Sequence, residues 1–111
     1  MRHVVETTPL SEPVFFVLAS LSRAPRHGYA LMKDIQTLSE GRVRLSTGTL
    51  YGVLRRLLED QWIERFDTGD TARDKQSYRI TATGSEALRQ ESIRLNQLAR
   101  IALPLIGPQE A

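Results

Sequence analysis

The sequence predicts a mainly α-helical domain that carries one small β-hairpin. Three stretches before residue 60 have the apolar spacing of helices, two β-prone stretches follow at 63–66 and 77–81, and residues 83–104 carry one long helical pattern. With 111 residues, of which 41% are hydrophobic and 25% charged, the chain has the length and composition of a single globular domain.

The first helix is predicted to begin after Ser11, a suitable N-cap residue, with Pro13 in its first turn. The residues that follow, VFFVLASL, are apolar almost all round the helix. A helix of this kind is buried on several sides. Because so small a domain can hardly surround its own first helix, we expect a partner subunit to cover part of it.

The second helix is predicted over residues 29–38, and Gly41 marks its end. Its residues at helical spacing are Tyr29, Met32, Ile35 and Gln36. Tyr29 is expected to pack in the interior. Val43 and Leu45 suggest a short strand before the third helix.

The third helix lies within STGTLYGVLRRLLED, residues 46–60, with Ser46 as its N-cap. One side carries an apolar stripe: Leu50, Val53, Leu54, Leu57 and Leu58. The opposite side carries glycines, hydroxyls and charges: Gly48, Thr49, Tyr51, Gly52, Arg55, Arg56 and Glu59. Each glycine inside a helix costs about 1 kcal/mol relative to alanine.

Arginine reaches phosphates or guanine, and Ser or Thr hydroxyls bond phosphate or base, so the open side of the third helix suits DNA. The alternative is a solvated face on which Arg55 and Glu59 pair four residues apart. Gly48 also suits a turn before the helix begins.

The two β-prone stretches and the polar DTGDTARDKQ between them predict a hairpin with a long tip. Thr83 and Glu86 have capping-box spacing and predict the start of a last helix of about 20 residues, about 30 Å long. Its apolar stripe contains Leu88, Leu95, Ala99 and Ala102, while Ile93 and Ile101 lie outside it. This helix again calls for a partner. The order of helix, helix, helix, hairpin and long helix is that of a winged helix-turn-helix.

Composition excludes several classes of protein. The chain has no cysteine and only two histidines, His3 and His27, so it offers no thiolate or recognisable metal site and no nucleophile motif. We therefore expect no enzyme, metal or cofactor. The apolar run at 14–19 is too short to span a bilayer, and the first residues lack the apolar stretch of a signal peptide. We expect a cytoplasmic protein without a membrane partner, whose net charge of +2 and pI near 9.4 permit an anionic one.

Four segments together resemble the PadR family of bacterial transcriptional regulators: HGYALMKDI at 27–35, STGTLYGVLRRLLED at 46–60, WIER at 62–65 and SYRITATGSEAL at 77–88. The length is similar to that of the family's compact subgroup, which has a single C-terminal helix. Two departures stand out. Gln61 occupies a position that is usually glycine after the third helix, and the wing reads ARDKQSY, with an aspartate between its basic residues.

The resemblance implies one domain over residues 1–111, with a winged helix-turn-helix at about 11–81 and a dimerisation helix at about 83–104. It also implies a homodimer joined by the first and last helices, whose third helices enter the major groove of double-stranded DNA. Members commonly repress transcription and release DNA when a small aromatic or drug-like effector binds near the dimer interface.

The residues expected to contact DNA are Lys33, Ser46, Thr47, Gly48, Thr49, Tyr51, Gly52, Arg55, Arg56, Arg73 and Lys75. Those expected at the dimer interface are Phe15, Phe16, Leu95, Leu98 and Ile101. Several have a second interpretation: the hydroxyls at 46 and 47 as plain helix caps, the tyrosine at 51 as a core-edge aromatic, and the lysine at 33 as an ordinary solvated side chain. Trp62 is expected to fill the core rather than stack on a ligand.

Two other functions fit the same pattern. In the first alternative, the domain is a winged-helix module whose third helix docks an acidic protein. In the second, it is a dimer that sequesters small molecules without binding DNA. The arginines and glycines of the third helix argue against the second of these.

Overall fold

The computed structural model describes residues 9–66 and 76–108. They form four helices and three short strands. The elements are α1 (Glu12–Leu21), β1 (Arg26–His27), α2 (Gly28–Leu38), α3 (Thr47–Glu59), β2 (Ile63–Phe66), β3 (Ser77–Ile80) and α4 (Ala82–Ile106). The predicted order of three helices, a hairpin and a long helix is confirmed.

Serine and threonine side chains begin three of the four helices. Ser11 accepts a hydrogen bond from the Val14 amide at the start of α1. The predicted capping box at Thr83 is wrong, because Thr81 has the extended backbone of an N-cap and accepts from the Gly84 amide at 3.1 Å. The helix therefore starts one residue earlier than expected and extends to Ile106.

The sheet contains three strands, and one of them lies elsewhere in the sequence than predicted. β3 lies in the centre, with β1 and β2 antiparallel on either side of it. The strand expected at Val43 and Leu45 is wrong, since these half-buried residues are not in a strand and pack against the core instead. β1 has only two residues, and its pairing depends on a strand fifty residues away, so no local pattern could indicate it.

The core lies where α1, α2 and α3 meet the sheet. It is built from Val17, Leu18, Leu21, Leu31, Ile35, Leu50, Leu54, Leu57, Ile63 and Tyr78. The buried side of α2 contains Gly28, Leu31 and Ile35, so the expected packing of Tyr29 is wrong: its side chain is 68% exposed. Trp62 is half-buried against the core, as predicted.

α3 ends in a Schellman motif. The Trp62 amide donates to the Leu57 carbonyl at 2.9 Å, and the Gln61 amide donates to the Leu58 carbonyl at 3.1 Å. Gln61 therefore adopts a left-handed conformation with φ of 62°. That conformation costs a residue with a Cβ roughly 1–2 kcal/mol and costs glycine nothing comparable.

The turn after α3 is joined directly to the start of α4. The Thr81 hydroxyl donates to the Gln61 carbonyl at 2.7 Å, and the Thr81 amide donates to the Trp62 carbonyl at 3.0 Å. Gly84 packs so closely against this turn that a Cβ there would collide with the Trp62 carbonyl oxygen. This contact between α3 and α4 is called the α3–α4 joint below.

Only the first part of α4 packs on the domain. Leu88 contacts the core and Glu91 is buried, whereas every residue from 95 to 106 is exposed. At 1.5 Å per residue the 25-residue helix is about 38 Å long, so nearly half of it extends beyond the domain. No helix in the described ranges is long and apolar enough to cross a lipid bilayer.

Candidate nucleic-acid interface

The two sides of α3 differ as the sequence predicted. Leu50, Leu54 and Leu57 are at most 1% exposed, and Val53 and Leu58 are half-buried. The other side is exposed throughout, at Thr47, Gly48, Thr49, Tyr51, Gly52, Arg55, Arg56 and Glu59. A Cβ added at Gly48 or Gly52 would meet no atom within 4 Å. Neither glycine is therefore required by packing within the described domain, although both carry the helical cost of glycine.

The N-terminal end of α3 is capped by a hydroxyl. The Ser46 side chain accepts from the Thr49 amide at 3.1 Å and lies 3.0 Å from the Thr49 hydroxyl. Both side chains are exposed, as is Thr47. The capping interpretation of Ser46 is therefore correct, and its exposure leaves it accessible to a ligand as well.

Tyr51 spans two helices. Its side chain is 44% exposed, and its hydroxyl contacts Gly28, the first residue of α2. A Cβ at Gly28 would meet that hydroxyl, so a larger residue there would require the Tyr51 side chain to shift. Tyr51 is therefore an exposed aromatic whose hydroxyl end lies against the start of α2.

Three cations on this side of the domain, Lys33, Arg55 and Arg56, are in no ion pair among the described residues. Arg55 and Arg56 are exposed, and neither forms an ion pair with another described residue, so the alternative pairing of Arg55 with Glu59 is wrong. Lys33 is exposed on α2, with its ammonium 5.5 Å from the centre of the Tyr29 ring. This cation–π contact gives the exposed Tyr29 a partner.

The wing is the hairpin formed by β2 and β3, and the structure describes its two strands but not residues 67–75 between them. Arg73 and Lys75 lie outside the described residues. On the outer face of the sheet, Arg79 bonds Glu64 at 2.6 Å and lies over the Phe66 ring at 4.8 Å. On the inner face Arg65 lies opposite Tyr78. Burial raises the pKa of the Tyr78 hydroxyl, and the nearby Tyr51 raises it further, whereas the charge of Arg65 lowers it.

The sequence of the chain matches one protein family over more than half of its length. Residues 17–90 match the description "Transcriptional regulator PadR-like family". The chain belongs to this family. Its members are transcriptional regulators that bind DNA, not enzymes, so the PadR-like chain is a DNA-binding regulator.

Two solved structures illustrate the shared fold. A PadR family transcription regulator from Clostridium difficile has a TM-score of 0.71 at 17% identity, covering 87% of this chain and 100% of that chain. A transcriptional regulator from Clostridium thermocellum has a TM-score of 0.70 at 21% identity, covering 80% and 87% respectively. No curated protein sequence matches the PadR-like chain significantly.

A polar network fixes the two helices that precede α3 in this PadR-like domain. Asp34 on α2 accepts from the buried Ser20 hydroxyl of α1 at 2.6 Å. Arg26 of β1 lies 3.4 Å from the same carboxylate and also donates to the Ser20 carbonyl, while Arg23 lies 3.5 Å away. Asp34 therefore holds α1, β1 and α2 together, and α2 supports α3.

The residues predicted for the dimer interface lie on α1 and α4. Phe15 and Phe16 are half-buried with their rings edge to face, 5.7 Å apart. Leu95, Leu98 and Ile101 are 43–65% exposed on α4. A cleft of about 350 Å³ lies between the helices, lined by Leu10, Glu12, Phe15, Phe16, Arg42, Glu91, Arg94 and Leu95.

Glu91 is the buried charge at this cleft. Its carboxylate accepts two hydrogen bonds of 2.8 Å from Arg94 and one of 3.2 Å from the Leu10 amide. The bonds from Arg94 hold the pKa of Glu91 below its ordinary value, against the effect of burial. Glu91 thus ties α4 to the chain just before α1.

Proposed function

We propose that this regulator is a cytoplasmic homodimeric repressor that reads its operator with α3 and releases it when a small aromatic effector binds. The observation that carries the proposal is the face of α3 opposite the leucines. It is exposed along its length, it combines two open glycines with hydroxyls and two arginines, and none of its cations is paired with a described carboxylate. A solvated face has no need of two helical glycines.

In the proposed complex α3 enters the major groove. Gly48 and Gly52 bring its backbone close to the DNA, while Arg55 and Arg56 reach phosphates or guanine edges. The hydroxyls of Ser46, Thr47 and Thr49 bond bases or phosphates beside the helix start. Tyr51 and Lys33 contact the flanking backbone, as do Arg73 and Lys75 from the wing.

The proposed dimer forms along α4. Leu95, Leu98, Ala102 and Leu105 follow one another at intervals of three and four residues, the spacing at which two helices pack side by side. The leucines in this row are 43–80% exposed in the single chain. Phe15, Phe16 and Ile101 extend the apolar surface. A second copy of the chain would bury it.

The proposed effector binds in the cleft between α1 and α4. About 350 Å³ falls within the range of small-molecule sites, and two phenylalanines with Leu95 supply an apolar wall for a planar molecule. Because the cleft adjoins the proposed dimer seam, a bound effector changes the spacing of the two α3 helices. A spacing that misfits adjacent major grooves, about 34–36 Å apart, weakens DNA binding.

Selection of DNA fragments with the purified protein tests the regulatory function. We expect a specific duplex to be retained, with an affinity that falls steeply as salt rises because counterions are released. A reporter gene placed behind the selected sequence should be less active when the protein is present. If no duplex is retained at low salt and a pull-down instead yields a stable complex with an acidic protein, the domain is a protein-interaction module.

A ligand screen tests the effector separately. Planar aromatic compounds are added to the protein with and without the selected duplex, and melting temperature and DNA affinity are measured together. We expect at least one compound to raise the melting temperature and to change DNA affinity. A screen in which no compound changes either quantity argues against an effector and leaves DNA recognition intact.

A further inference from the structure

A second cleft, of about 210 Å³, lies between the C-terminal half of α3 and the strands of the wing. It is lined by Tyr51, Leu54, Arg55, Leu58, Arg65 and Tyr78. The two leucines form an apolar floor, and the arginines come from different elements, one from α3 and one from β2. Its volume is below the roughly 300–1,000 Å³ of sites that enclose a whole drug-sized ligand, so a single small group suits it better.

Arg65 is the unexpected residue in this cleft. Successive residues of a strand point to opposite faces of the sheet, so Arg65 shares the inner face with Ile63, which is 1% exposed. Its cross-strand partner Tyr78 is 4% exposed. The outer face of the same strand carries Glu64, which is paired with Arg79. Arg65 itself is exposed, so its guanidinium is accessible from solvent although its neighbours on this face are buried.

The described residues that line the cleft carry charge of one sign. None of the six lining residues is acidic, and neither arginine forms an ion pair with another residue in the described ranges. The pKa of Tyr78 lies above its ordinary value, so this hydroxyl stays neutral and adds no negative charge. Two guanidiniums over an apolar floor favour an anion with several oxygens, because each guanidinium can bond two of them.

We propose that this cleft binds one phosphodiester group of the DNA backbone between Arg55 of α3 and Arg65 of β2. The proposal rests on the DNA-binding function and adds Arg65 and Tyr78 to the contact surface. A phosphate held between the two elements fixes the angle of the wing relative to the groove that α3 enters. It positions the protein on DNA and carries no sequence information.

The test compares Arg65→Gln with Arg89→Gln, which removes the same charge from an exposed position on α4. Affinity for the selected duplex and for an unrelated duplex is measured over a series of salt concentrations. We expect Arg65→Gln to weaken binding to both duplexes by a similar factor, about tenfold, and to lower the slope of log K against log salt by about one per protomer. Arg89→Gln should change neither quantity.

Arg65→Lys provides a second variant, since it keeps the charge and loses the two-pronged geometry. We expect it to retain the salt slope and bind severalfold more weakly, with a melting temperature like that of the wild type. Wild-type affinity and slope in Arg65→Gln would overturn the proposed phosphate site alone, as would a loss confined to the selected duplex, which indicates a base contact. A wild-type protein that retains no duplex at all would overturn the DNA-binding function and the phosphate site together.

Discussion

Two helical glycines, Gly52 and Gly84, have opposite surroundings and should respond oppositely to the same substitution. Gly52 faces open space, so Gly52→Ala should raise the free energy of unfolding by up to about 1 kcal/mol, because alanine is the better helix former. Gly84 lies against the Trp62 backbone, which cannot move aside cheaply, so Gly84→Ala should lower it by about 1–3 kcal/mol. Denaturant unfolding of the two variants beside the wild type measures both changes. Equal effects of one sign would contradict this account.

The same open position tests close approach to DNA. Gly52→Leu places a bulky side chain on the exposed face of α3 and should leave the fold intact, because no atom lies near it. If the backbone sits against the groove here, operator affinity should fall tenfold or more, a loss of about 1.4 kcal/mol. Melting temperature and affinity are measured on the same sample, with Gly52→Ala as the smaller control. Affinity equal to that of the wild type would exclude close approach as the reason for the glycine.

Gln61 has a left-handed backbone conformation that glycine adopts more readily than glutamine. Its φ of 62° suits glycine, so Gln61→Gly should raise the free energy of unfolding by about 1 kcal/mol. Glu59→Gly, placed two residues earlier at the last residue of α3, serves as the control and should lower stability, because its backbone is helical. Both are measured by chemical denaturation. A destabilising Gln61→Gly would mean that the glutamine side chain contributes more than its backbone conformation costs.

At the scale of elements, the contact between α4 and the start of α1 depends on one carboxylate. The pKa of Glu91 is lower in the folded protein than its ordinary value of 4.5. The ionised carboxylate therefore stabilises the fold at any pH above 4.5, and this stabilisation is lost as the pH falls through the pKa of the folded state. Glu91→Gln should therefore be less stable than the wild type at pH 7 and approach it as pH falls below 4.5. Unfolding measured along this pH series checks the prediction, with Glu59→Gln as an exposed control. A difference that is constant with pH would contradict it.

The helices and the two strands of the hairpin were predictable, and the two-residue strand β1 was not. Ser11 and Ser46 cap helices whose apolar spacing is clear in the sequence, and a helix of ten or more residues repeats that spacing several times. β1 has two residues and exists only because β3 lies beside it. The start of α4 was misplaced because both Thr81 and Thr83 are suitable N-cap residues. With Thr81 as the cap, Gly84 lies against the Trp62 carbonyl, and this contact between distant segments is not visible in the sequence.

At the scale of the whole molecule, the exposed half of α4 is the surface on which we propose that a second copy of the chain packs. Leu98 is 49% exposed near the middle of the apolar row. Leu98→Asp should give monomer or aggregate, because dimer formation would bury an unpaired carboxylate. Asn96→Asp adds the same charge on the far side of the helix and should leave the dimer unchanged. Sedimentation at micromolar concentration measures both, and a monomeric wild type would contradict the proposed seam.

The candidate interface could be predicted only where one element carries it. The open face of α3 follows from the sequence, because the leucines fix which side of that helix is buried. Arg65, the further phosphate contact that we propose, was not among the residues predicted from the sequence, although a charge two residues after the apolar Ile63 was a usable signal. Arg65 lies near Tyr78 and Arg55 because of the strand register and the packing of α3. A local sequence pattern predicts neither of these.

The α3–α4 joint has a consequence for how operators are matched. Two hydrogen bonds and one backbone contact at Gly84 join α3, the proposed DNA-reading helix, to α4, the proposed dimerisation helix, without a flexible linker at this contact. In the proposed dimer, the angle at which the two α4 helices cross therefore sets the distance between the two α3 helices. Residues along α4 that never approach a base can then determine how many base pairs lie between half-sites. Related proteins with identical α3 helices can diverge in operator spacing through changes at this distant seam alone.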